Sequence, residues 1–224
     1  MNKKIIVTGI SAGLGRALLG EFTKLGHLVF GCDSNFIGIE KLQNSSAYPE
    51  RFRNIDVCDQ DQVHAWASEI SEVIVPDLLV NNAGYTPEML DFCNLPAMEF
   101  NRTIAVNVIG VANVARAFLP YMKATNNGVL VNFSGRWGRI GAANASAFCA
   151  SKWAIEGLTQ AISLELPSGM AAVTYSPGAV YTDALVKIHG NEKAASFTTP
   201  ERWSITAAQT LLAISPSDNG AALG

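Results

Sequence analysis

Long apolar runs are missing from this 224-residue chain. The first, Ile5-Ile6-Val7 after the basic start Met1-Asn2-Lys3-Lys4, stops at Thr8-Gly9, too short for the core of a signal peptide. No later run approaches the roughly 20 apolar residues of a membrane span. Cysteine is sparse: Cys32, Cys58, Cys93 and Cys149 lie far apart without a CxxC pair, which suits reduced thiols better than a disulfide framework or a zinc site. Charge of one sign is also missing, since 16 basic and 19 acidic residues are scattered to a net charge of -3, and no Lys/Arg cluster could neutralise a row of phosphates. Nucleic acid, membrane and metal are therefore not expected as partners, and the expected location is cytoplasmic. What is present in quantity is apolar residues, 49% of the chain, enough for one continuous core and a single domain over residues 1–224.

Short apolar segments alternate with stretches of helical period. Ile5-Ile6-Val7, Leu28-Val29-Phe30, Arg53-Asn54-Ile55, Leu78-Leu79-Val80, Val129 to Phe133 and Ala172 to Tyr175 read as strands of a parallel sheet. Between the first two, Leu14, Ala17, Leu18, Phe22 and Leu25 recur at helical spacing, and Gly26 supplies a stop. Further helices are expected over about 60–72, 97–123 and 147–166, with another opened by Pro200-Glu201-Arg202, whereas 182–199 has weak periodicity. Strand and helix in alternation imply an α/β fold, a doubly wound parallel sheet of the Rossmann type in one domain, with ligands beyond the carboxyl ends of the strands.

Gly9, Gly13 and Gly15 follow the first strand and open the first helix, so backbone amides there can receive a pyrophosphate. The spacing is GxxxGxG and not GxGxxG, and by itself it is also compatible with an ordinary glycine-rich turn. Asp33 follows the second strand, read as Leu28 to Cys32, where a carboxylate accepts the hydroxyls of an adenosine ribose and repels a 2′-phosphate. No basic residue adjoins Asp33, and Ala12 stands where an arginine could meet that phosphate, so NAD(H) is expected over NADP(H). A plain turn carboxylate before Ser34-Asn35 is the alternative.

These segments, with several others in order, resemble the classical short-chain dehydrogenases/reductases over nearly the whole chain. Thr8 to Gly15 is similar to the family's TGxxxGxG loop, which the resemblance makes a cofactor site through Gly9, Ser11, Gly13, Leu14 and Gly15. Asp56-Val57 resembles its contact to the adenine amino group, and Asn81-Asn82-Ala83-Gly84 its NNAG signature, with Asn82, Ala83 and Gly84 beside the adenosine. Pro177, Gly178, Val180 and Thr182 fall in the PGxVxT stretch that lines the nicotinamide. Asn107 and Lys152 match the catalytic asparagine and lysine, and Lys152 would also hold the nicotinamide ribose. The resemblance implies a carbonyl/alcohol oxidoreductase that assembles as a homodimer or homotetramer through two long helices, here carrying Val111, Val114, Phe118, Trp153, Ile155 and Leu158.

Two positions depart from that pattern. Phe148, one helical turn before Lys152, stands where the family has the tyrosine that exchanges the substrate's hydroxyl proton. The family's serine position falls on Gly135, with Ser134 one residue early, a catalytic candidate that would polarise the carbonyl if the loop bulges. Three explanations stay open: a substitute donor among Tyr85, Tyr181 and His189, with Tyr181 favoured; a dinucleotide-binding sensor or structural subunit without turnover; or a deliberate tyrosine-to-phenylalanine change, which would leave Gly135 unexplained. Arg136, Trp137, Tyr85, Met89, Leu185 and Ile188 are expected to form a mixed apolar pocket, with Arg136 and Arg139 either pairing with a substrate anion or solvated. The chain is also expected to stop short of the family's final loop and strand, which would leave that pocket more open.

Overall fold

The computed structural model describes residues 2–224, so Met1 of the basic start lies outside it. Over these residues seven strands form one parallel sheet: β1 (Lys4–Thr8), β2 (Leu28–Asp33), β3 (Phe52–Asn54), β4 (Leu78–Asn81), β5 (Gly128–Phe133), β6 (Met170–Tyr175) and β7 (Ala222–Leu223), in the order β3-β2-β1-β4-β5-β6-β7. The chain winds outward from β1 to β3, then crosses to β4 on the other side of β1. That reversal opens a crevice at the carboxyl ends of β1 and β4. Helices α1 (Gly13–Lys24), α2 (Phe36–Ser45), α3 (Gln60–Ser71), α4 (Ala97–Ile104), α5 (Val111–Thr125), α6 (Ser146–Leu164), α7 (Asp183–His189), α8 (Asn191–Ala194) and α9 (Pro200–Ala213) complete it.

Because side chains alternate across a strand, β1 sends Ile5 and Val7 into one core and Ile6 into the other. The first core is closed by Leu18 and Phe22 of α1 and by Trp203, Ala208 and Leu211 of α9. The second is closed by Trp66 of α3 and Phe118 and Met122 of α5, with the Trp66 and Phe118 rings edge to face at 5.2 Å. Both faces of the strands are thus buried, which is why they read as continuous apolar runs. Gly26, at φ +83°, ends α1 as its sequence position implies.

Three features add to or depart from what residue order implied. The final strand is present as β7, paired to β6 at Thr174–Ala222 and Tyr175–Leu223, so the sheet is not cut short. Helix α2 has only Ile39 and Leu42 buried while Phe36 and Ile37 face outward, too weak a stripe to show in the periodicity; its capping is local, Gly38 N–H donating to Asn35 Oδ1 at 3.1 Å. Residues 97–125 form one continuous helical run, long and apolar enough to cross a membrane by length and composition, but 56% of its apolar window is buried inside the fold.

Candidate active site

At the end of β1 the chain turns through Gly9 (φ +75°) and Gly13 (φ +54°), backbone that residues with a Cβ rarely adopt. A side chain at Gly15 would collide with the carbonyl oxygen of Gly9, and one at Gly9 would come 2.9 Å from the Ala83 Cα. The first turn of α1, beginning at Gly13 and Leu14, carries no side-chain cap from Ala12, so its amides are left for an anion. Thr182 stands opposite, its methyl 3.6 Å from where a Cβ of Gly13 would lie. The segment that follows β4 is tied to this loop: Asn82 Nδ2 donates to the carbonyls of Thr8 (2.9 Å) and Gly9 (3.2 Å), and Thr8 Oγ1 accepts the amides of Asn82 and Ala83. The residues present fit a dinucleotide pyrophosphate, on backbone grounds alone.

Asp33 turns toward the same loop. Its Oδ2 accepts Ser11 N–H at 3.0 Å and Ser11 Oγ–H at 2.8 Å, and its Oδ1 accepts Asn35 N–H at 2.9 Å. Gly38 allows this: a Cβ there would fall 2.5 Å from Ser11 Cβ, so α2 packs directly on the loop. Asp56 is exposed after β3 and its Oδ1 accepts Cys58 N–H, while Val57 is buried against Gly110.

On the other side of the crevice a π-helical turn, Ala105–Gly110, joins α4 to α5 and carries Asn107. Its buried amide has found partners, as an asparagine among apolar residues must. Oδ1 accepts Tyr85 N–H (2.7 Å), and Nδ2 donates to Tyr85 O (2.9 Å) and Ser151 Oγ (3.1 Å). Ser151 Oγ–H in turn donates to Phe148 O at 2.8 Å. Gly84 lies beside it, a Cβ there meeting Asn107 Oδ1 at 3.4 Å. Lys152 is 8% exposed, and its Nζ donates to Phe133 O at 2.8 Å and sits 5.5 Å from the centroid of the Phe148 ring. Burial pushes its ammonium down to about 8, against a smaller upward pull from Glu156. Phe148 packs edge-on to Trp137 at 6.0 Å.

The two serine-region residues separate. Ser134 Oγ is buried without a hydrogen-bond partner, 2.7 Å from where a Cβ of Gly138 would lie, so the loop turns it inward beneath the 3-10 turn Arg136–Gly138. A Cβ on Gly135 meets nothing within 4 Å. Successive side chains of an extended segment point opposite ways, which is why one residue of offset removes the hydroxyl from the crevice.

Beyond Pro177, whose carbonyl accepts Trp203 Nε1–H, the chain passes through Gly178 (φ +72°) and buried Val180, and Thr182 Oγ1 caps α7 by accepting Leu185 N–H. Here a cleft of about 600 Å³ is lined by Tyr85, Glu88, Met89, Leu90, Glu99 and Lys187. It is more polar than the expected pocket, and Leu185 is buried outside it. Tyr85 Oη–H donates to Glu99 at 2.7 Å, which raises the phenol's pKa, and the Arg102 guanidinium lies 4.3 Å from its ring centroid. Tyr181 is exposed, and His189 packs on Phe197 at the end of α7. Arg139 is a third exposed but not free for an anion: it pairs with Glu156 at 3.2 Å and donates to the Leu223 and Gly224 carbonyls.

Sequence reading passed over Ser151, Glu156 and the buried ladder in which Asn81 donates to Asn132, and Asn132 to Thr159. Only Ser151 had a usable signal, its place directly before Lys152.

The short chain dehydrogenase family profile matches residues 3–193. The NADPH-dependent pterin aldehyde reductase of Arabidopsis thaliana is 40% identical over 99% of this chain and 92% of its own length. The estradiol 17-beta-dehydrogenase 2 of Mus musculus is 32% identical over 81% of this chain and 49% of its own. Among solved structures, ElxO with NADP bound (TM-score 0.84, covering 100% of this chain and 96% of that one) and an NAD+-bound xylitol dehydrogenase (TM-score 0.86, 99% and 96%) share the fold at 24% identity each. On the extent of the profile match and of these relatives, the chain belongs to the short chain dehydrogenase family.

Proposed function

We propose that the chain is an NAD(H)-dependent oxidoreductase acting on a carbonyl/alcohol pair. The observation that carries this reading is the convergence of the uncapped glycine-loop helix and buried Lys152 on one crevice. Gly9, Ser11, Gly13, Leu14 and Gly15 would hold the pyrophosphate, Asp33, Asp56, Val57, Asn82, Ala83 and Gly84 the adenosine, and Lys152, Pro177, Gly178, Val180 and Thr182 the nicotinamide half. The bound dinucleotide supplies or accepts the hydride. Asp33 favours NAD(H), because its carboxylate stands at the ribose end of the loop with no basic neighbour, although the Arabidopsis relative is NADPH-dependent. That relative also makes an aldehyde on a planar heteroaromatic ring the first substrate class to test.

Gly135 and Phe148 together favour a second reading, a dinucleotide-binding sensor or structural subunit with impaired turnover; an engineered phenylalanine would account for only one of them. Trp153 and Leu158 of α6, with exposed Ile109, offer apolar surface for a homodimer or homotetramer, whereas Val111, Val114, Phe118 and Ile155 are spent on the core. A cytoplasmic location completes the proposal.

Calorimetric titration with NADH and NADPH, followed by an aldehyde and ketone panel, tests it. Tighter NADH binding with turnover supports the reading; NADH binding without turnover favours the sensor; no dinucleotide binding rejects both.

A further inference from the structure

Two of the hydroxyls that could replace the missing phenol are occupied or turned away, and a third, that of Tyr181, stands on an exposed residue. Tyr85 gives its proton to Glu99, and Ser134 Oγ is buried under Gly138. What faces the Phe148 ring is the Lys152 ammonium, with one of its three N–H groups given to Phe133 O. A benzene ring holds a cation by its face but offers no proton acceptor. A side chain at Gly135 would meet nothing within 4 Å.

Resting on the oxidoreductase reading above, we propose that Lys152 is itself the proton donor, taking over the step that the family's tyrosine performs. In reduction, the carbonyl carbon takes a hydride from a bound reduced nicotinamide, which would be left oxidised, as the Nζ–H bond breaks and an O–H bond forms, directly or through one relaying water. The product is the alcohol and a neutral amine, which recovers its proton from solvent. In oxidation the neutral amine takes the hydroxyl proton while the carbinol carbon gives its hydride to an oxidised nicotinamide.

The acidity suits the task. Burial brings the ammonium to about 8, nearer neutral pH than a phenol at its ordinary value near 10. The charged groups facing it can be named. Glu156, one turn along α6, raises it, and Arg139 from the turn after β5 is paired to Glu156. Arg136 is exposed, Glu99 and Arg102 of α4 are engaged at Tyr85, and Tyr175 of β6 belongs to the opposite core.

The test uses the whole protein labelled with ¹³C-lysine, with the Lys152 Cε signal assigned by its loss in Lys152→Met. Titration without cofactor is expected to show this lysine ionising near pH 8. With NADH and an aldehyde, kcat/KM should fall above the same pH, and Glu156→Gln should lower both midpoints together. Lys152→Arg, which keeps the charge but does not ionise in this range, should lose at least 100-fold in turnover while NADH affinity, read by fluorescence, stays within about tenfold. Turnover that persists in Lys152→Arg, or a rate midpoint that ignores the lysine's own, overturns the inference and leaves carbonyl reduction standing. NADH binding with no turnover in the unaltered protein defeats the oxidoreductase reading, and the inference with it.

Discussion

The two walls of the crevice have fared differently. On the glycine-loop wall, backbone shape dominates: positive-φ glycines, an uncapped helix end and the Asn82 and Thr8 contacts lock together. On the α6 wall, side-chain chemistry does the work, and there Lys152 and Asn107 stand in a tight hydrogen-bonded frame while Gly135 and Phe148 carry no hydroxyl. A binding surface built from backbone is hard to change piecemeal, because each glycine is held by a close approach. A proton-transfer site changes with a single oxygen atom and leaves the packing almost untouched.

The sharpest break of this comparison is to add the two oxygen atoms that the family resemblance would place at these positions. Phe148→Tyr combined with Gly135→Ser should raise carbonyl reduction by about 10²- to 10⁴-fold, measured as NADH oxidation, with thermal stability little changed. Next comes the cost of the buried cation. Lys152 ionises at about 8 in the folded chain against 10.5 for an ordinary lysine, so between those values the unfolded chain binds more protons and stability rises with pH. The full difference is at most about 3 kcal/mol, present above pH 10.5 and lost as pH falls through 8. Lys152→Met should therefore flatten the pH dependence of cofactor-free urea unfolding and raise stability at pH 7, by about 2 kcal/mol after loss of the bond to Phe133 O.

On the opposite wall, Gly15→Val forces its side chain into the Gly9 carbonyl, and NADH affinity by calorimetry should fall about 100-fold, roughly 3 kcal/mol. The smallest effect is expected from Asp33→Ser, which removes the carboxylate from Ser11 and the ribose site. It should shift the NADH-to-NADPH affinity ratio by about tenfold toward NADPH, about 1.4 kcal/mol; an unchanged ratio would detach cofactor choice from Asp33.

Much of the fold was legible because local rules produce it. The strand-helix alternation and the Gly26 stop are visible in residue order, and the glycine loop needs only its own neighbours. Helix α2 was not legible, because an exposed helix with two buried residues leaves no periodic trace, and neither was β7, whose two residues are held by pairing with β6. The polar pocket was misread for a related reason: Glu99, Lys187 and Tyr85 come from three separate segments.

Residue order by itself determined the doubly wound plan and that positions 135 and 148 carry no hydroxyl, since glycine and phenylalanine have no side-chain oxygen wherever they lie. Only the tertiary structure decided which way each remaining group points. Ser134 is inward, Arg139 is paired with Glu156, Tyr85 is given to Glu99, and Lys152 is buried against an aromatic face. Direction, burial and partner choice depend on residues far away in the chain, and they set the energy of a charge or a proton.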